Sequence, residues 1–91
     1  MRLRVQQAAH DILVRMGRLY DIVEQYRDRY EPHRPSIAAV ALEVGVSRQV
    51  LLNWRTPSSL PRKQHLVALA KTTGVPYQRV LDAVLDDIGY L

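Results

Sequence analysis

The stretch from Ile37 to Trp54 constrains this chain more than any other. Ile37, Val40, Ala41 and Val44 recur at i, i+3, i+4 and i+7, the spacing of an amphipathic helix with one apolar face. Gly45 comes next, a residue able to take positive φ and end that helix. Val46 gives the turn an apolar anchor, and Ser47 suits the N-cap of a second helix. On that helix Val50, Leu51 and Trp54 share a face predicted to be buried. Arg48, Gln49, Leu52 and Asn53 fall on the other face, at offsets i, i+1, i+4 and i+5. Arg, Gln and Asn are the types that make two-point hydrogen bonds to base edges in a major groove, Arg with guanine and Gln or Asn with adenine.

Two short helices joined in this way resemble the helix-turn-helix of the Cro/repressor (XRE-type) family. The likeness rests on Val40-Ala41, Gly45, Val46-Ser47, Leu51 and Trp54. Ala41 fits because a larger side chain where the two helices cross would push them apart. The match runs on through Leu60-Pro61-Arg62, Leu66, Leu69-Ala70 and Gly74-Val75, covering roughly residues 19–88. It implies an all-α, lambda-repressor-like DNA-binding domain of about five helices with an extended N-terminal helix. Residues 1–91 would then form one domain, with 2–18 as the helical extension and 36–55 as the helix-turn-helix.

The function that follows is sequence-specific binding of double-stranded DNA by a transcriptional regulator of phage or bacterial type. The recognition helix, about 47–55, would enter the major groove. Arg48, Gln49 and Asn53 are expected to read bases, with Leu52 touching a thymine methyl. Ser36, Ser47, Arg55, Arg62 and Lys63 are expected to hold phosphates. For Arg62 and Lys63 the reason is their place at a helix start, where the dipole favours an anion.

Charge distribution agrees with that expectation. Residues 1–35 carry seven Arg against five acids, a balance of +2. Residues 36–71 carry Arg48, Arg55, Arg62, Lys63 and Lys71 against Glu43 alone, a balance of +4. Residues 72–91 carry Arg79 against Asp82, Asp86 and Asp87, a balance of −2. Between Glu43 and Asp82 there is no carboxylate. A basic middle and an acidic end suit a molecule that meets phosphate on one face only.

Ninety-one residues allow one self-sufficient core. With no cysteine, disulfides and thiolate metal sites are excluded, which fits a reducing cytoplasm. No apolar run reaches the roughly 18 residues of a membrane span. The expectation is a cytoplasmic protein, in bacteria or an infected host cell, with no membrane, small-molecule, metal or cofactor partner.

Along the chain, residues 2–30 read as helix throughout. Val5, Ala9, Ile12, Met16, Leu19, Val23, Tyr26 and Tyr30 follow a 4-3-4-3 spacing, with Gly17 marking a place for a kink or break. This seam is read as packing over the domain's own core rather than as a coiled-coil dimer. Pro32 and Pro35 make a loop, and Ser36 caps the helix that follows. Pro61 is expected in the first turn of a fourth helix that buries Leu66, Leu69 and Ala70 and ends at Gly74 in a Schellman turn with Val75. Pro76 opens a last helix, with Val80, Leu81, Val84, Leu85 and Ile88 inward and Asp82, Asp86 and Asp87 largely opposite, as a solvated face.

No catalytic constellation stands out. His10, His33 and His65 read as ordinary surface histidines, and no nucleophile sits beside a base. The chain is therefore expected not to be an enzyme. Two other binding readings stand beside the first. One is a winged-helix excisionase or MerR-type DNA binder, which shares a Gly-Val-Ser turn and a following Trp-Arg but needs a β-hairpin downstream. The other is a helical protein-interaction module, an antitoxin or anti-repressor, working through the seam of residues 5–30. A single recognition helix reads few base pairs, so a homodimer is expected. The favoured surface is the C-terminal end, at Ile88, Tyr90 and Leu91, with the N-terminal helix as the alternative.

Overall fold

The computed structural model describes residues 17–90. Over these residues the chain is all-α, with no strand. Its five helices are α1 (Arg18–Asp28), α2 (Ile37–Val44), α3 (Arg48–Asn53), α4 (Lys63–Thr73) and α5 (Tyr77–Asp87). None of them is long and apolar enough to cross a membrane.

Local chemistry sets the boundaries of the central pair. Ser36 Oγ accepts the Ala39 backbone N–H at 3.0 Å and starts α2. Gly45, at φ +89°, stops it, and the N–H groups of Gly45 and Val46 both return to the Ala41 carbonyl. Ser47 Oγ then accepts the Val50 N–H at 3.1 Å and starts α3. Helix α3 is shorter than the 47–55 expected of a recognition helix, with Trp54 already at its C-cap.

Every helix contributes to one core. Leu19 and Val23 of α1, Val40 of α2, Leu51 of α3, Leu66 and Leu69 of α4, and Val80 and Val84 of α5 are fully enclosed. Burying each such side chain stabilises the fold by about 1.5–3 kcal/mol. Trp54 lies in this cluster at 5% exposure, as its phase with Leu51 requires. Ala41, at 1%, allows α2 and α3 to approach closely. Helix α1 rests on α4 and α5, while α2 contacts α3 and α4.

Several expectations are corrected. The helix read over 2–30 is not continuous. Gly17 stands outside it at φ +130°, and α1 begins at Arg18 and stops at Asp28. Leu19, Val23 and Tyr26 of the seam face the chain's own core, whereas Tyr30 is half exposed. Val5, Ala9, Ile12 and Met16 lie outside the described residues, as do the 2–16 part of the helical extension and His10. Pro61 precedes α4 rather than entering it, and Arg62 takes the N-cap. Val75 does not complete a Schellman turn, because its N–H goes to Thr73 Oγ1 at 3.3 Å and only Gly74 bonds back to Ala70.

Asp86 and Asp87 are not a solvated face. Both are half-buried, and Asp87 accepts the backbone N–H groups of Arg18 at 2.7 Å and Leu19 at 3.0 Å. Asp86 pairs with the Arg18 guanidinium. Gly17 has no side chain to cap α1, so a carboxylate from the far end of the described chain takes that role. His65 is half-buried beside the Trp54 ring rather than an ordinary surface residue.

Candidate nucleic-acid interface

The burial of Leu51 and Trp54 dictates what α3 turns outward. Arg48, Gln49 and Asn53 are exposed, and Leu52 is half-exposed between them. Gln49 Nε2 donates to Asn53 Oδ1 at 2.9 Å, joining the two amides across one helical turn. Arg55 follows the helix, exposed, and its Nε donates to the Leu52 carbonyl at 3.1 Å. This bond holds the guanidinium stem at the C-terminal end of α3.

Ser36 and Ser47 are exposed, but both hydroxyl oxygens already accept a backbone N–H as caps. Each keeps its O–H to donate to an anion. Arg62 and Lys63 are exposed at the start of α4, which has no side-chain cap. An uncapped helix start with two cations is favourable for phosphate. No hydrogen bond or ion pair among the described residues links Ser36, Arg62 or Lys63 to the α3 group.

The pairing of charges separates the arginines into two sets. Arg27 and Arg34 are engaged by Glu24 at 2.7 and 2.6 Å, and Arg34 also meets Asp28 and Glu31. Arg29 donates to the Thr73 carbonyl at 2.8 Å, closing the C-terminal end of α4. Arg48, Arg55, Arg62 and Lys63 form no ion pair among the described residues. Arg29, Lys71 and Arg79 form none either, but Arg48, Arg55, Arg62 and Lys63 fall together on the segment from α3 to the start of α4, where no carboxylate intervenes.

Tyr20 of α1 lies within the field of Arg48 and Arg55, and Tyr26 of the same helix beside Glu43. Burial pushes the Tyr20 hydroxyl above its ordinary range, with Glu24 adding and Arg27, Arg55 and Arg48 opposing. The Tyr26 hydroxyl is pushed up by the Tyr30 phenol, by burial and by Glu43, to which it donates at 3.1 Å. That bond ties α1 to α2.

Two features of the surface escaped the sequence reading. Leu42 on α2 is 82% exposed. A shallow polar hollow also lies beyond α3, lined by Leu52, Asn53, Arg55, Thr56, Ser58 and Ser59 among others. Thr56-Pro57-Ser58-Ser59 is, by residue type, a turn-forming connector. Three hydroxyl residues within the four positions after Arg55 were the signal available. Compared with known protein families, curated proteins and solved structures, the chain matches none.

Proposed function

We propose that this chain binds double-stranded DNA sequence-specifically, as a Cro/repressor-like transcriptional regulator of phage or bacterial type acting in the cytoplasm. Helix α3 enters the major groove. Arg48, Gln49 and Asn53 read bases, and Leu52 meets a thymine methyl. Ser36, Ser47, Arg55, Arg62 and Lys63 hold phosphates on either side. The observation that carries this reading is the outward face of α3. Its core side is sealed by Leu51 and Trp54, while three exposed groove-reading side chains stand beside cations free of carboxylates among the described residues. A second copy of the chain is the protein partner we favour, joined near the C-terminal end, where Tyr90 is 78% exposed and Ile88 half-buried.

The winged-helix alternative needs a β-hairpin after the recognition helix, and that part of the chain is α4 and α5 instead. The protein-interaction alternative has one observation in its favour, the exposed Leu42. Electrophoretic mobility shift against random duplex DNA at low salt separates the readings. Binding at micromolar concentration, followed by enrichment of one site from a random duplex library, is the expected result. No shift at low salt counts against DNA and in favour of a protein partner.

A further inference from the structure

Gln49 and Asn53 are four residues apart on an exposed helical face, where side chains are neighbours, and their amides are hydrogen-bonded at 2.9 Å. A primary amide carries one carbonyl oxygen and two N–H donors. Once one Nε2–H of Gln49 has gone to Asn53 Oδ1, the bridged pair still offers Gln49 Oε1 as an acceptor, with Asn53 Nδ2 and the second Gln49 Nε2–H as donors. Exchanging oxygen and nitrogen in both amides reverses the internal bond and again leaves an acceptor beside a donor, in the opposite order along the helix.

Among the four bases only adenine presents the complement in the major groove, an N7 acceptor next to an N6–H donor. Guanine presents two acceptors, cytosine a donor alone, and thymine an acceptor and a methyl. We infer that Gln49 and Asn53 act as one bridged reader that fixes a single A·T pair in the bound site, rather than as two independent base contacts. This inference rests on the DNA-binding reading and deepens it. The internal bond orders both amides before DNA arrives, which lowers the entropy lost on binding. Removing either side chain therefore frees the other.

The test is a double-mutant cycle on the site that the intact chain selects from a random duplex library, read by fluorescence anisotropy. Gln49→Ala and Asn53→Ala should each weaken binding by about tenfold to a hundredfold. The double variant should lose no more than the worse single variant, where independent contacts would multiply. Replacing one fixed adenine by 7-deazaadenine, which lacks the N7 acceptor, should weaken the intact chain about tenfold and leave the double variant unaffected. Asn53→Asp keeps an acceptor for the Gln49 amide but removes the Asn53 N–H that the bridge turns toward the base, so its preference for that adenine should vanish. Circular dichroism of each variant should match the intact chain, since both side chains are exposed. Multiplying losses, a selected site with no responsive adenine, or an Asn53→Asp variant that keeps the preference overturns the bridged reader while leaving DNA binding in place. Failure to select any duplex overturns both.

Discussion

Gly17 lies so close to Arg55 that a β-carbon on the glycine would sit 3.0 Å from the Arg55 carbonyl oxygen. The same β-carbon would meet the Asp87 carboxylate at 3.1 Å. The start of α1, the residue after the C-cap of α3 and the end of α5 thus converge on one point that a glycine fits. Its φ of +130° lies in a region essentially closed to other residues.

Gly17→Ala should therefore destabilise the fold by about 1–3 kcal/mol. The neighbour it strikes is backbone, which has little room to give. A urea titration followed by circular dichroism checks this, and an unchanged midpoint would show that the contact at Arg55 is loose.

Trp54→Ala should cost about 3–5 kcal/mol, the range for emptying a large aromatic site in a core. Trp54 is 5% exposed and lies beside His65, so little of its volume can be refilled by solvent or by collapse. Thermal unfolding is the measurement. A variant as stable as the parent that no longer binds DNA would mean that the indole faces the nucleic acid.

Arg62→Ala should weaken DNA binding evenly across sequences and reduce the slope of log affinity against log salt by about one. Arg62 is exposed at an uncapped helix start and has no carboxylate partner among the described residues. Affinity measured on a specific and a scrambled duplex at several salt concentrations gives the answer. A shifted base preference with an unchanged slope would move Arg62 from the phosphates to the bases.

Alkali should unfold the chain through its tyrosines. The Tyr30 phenol, burial and Glu43 raise the Tyr26 hydroxyl above its ordinary 10.0 in the folded state. Above about pH 10 the unfolded chain ionises this group while the folded chain keeps it neutral, so stability falls as pH rises. The urea midpoint should drop between about pH 9 and about pH 11, and drop less in Tyr26→Phe. Equal slopes for the two proteins would assign the loss to other groups, Tyr20 first among them.

What could be read from sequence was what is settled within a few residues. Ser36, Gly45 and Ser47 decide helix boundaries through bonds that reach three or four positions, and Leu51 and Trp54 take their facing from helical phase alone. The exposure of Arg48, Gln49 and Asn53 followed, since theirs is the face that remains once those two residues turn inward. The break at Gly17 was only half legible. A glycine within a helical seam costs about 1 kcal/mol, too little to decide the matter, and the neighbour packed against it, the Arg55 carbonyl, is 38 positions away. Asp86 and Asp87 read as a solvated face because their partners lie at Arg18 and Leu19, far outside any local window. The Gln49–Asn53 bond was within reach, since both residues sit at i and i+4, but identity and spacing alone do not say whether two amides meet each other or water.

The carboxylate of Asp87 on the start of α1 also sets an order of events during synthesis. Arg18 and Asp87 are separated by 69 positions. At a ribosomal rate of about 5–20 residues per second, Asp87 follows Arg18 out by roughly 3–14 seconds. Throughout that interval the first N–H groups of α1 lack the Asp87 carboxylate, and Leu19 and Val23 have no α5 to cover them. Helix α1 is made before the other described helices and completed after them, so the nascent chain carries an open apolar stripe, available to a chaperone, until α5 has been released.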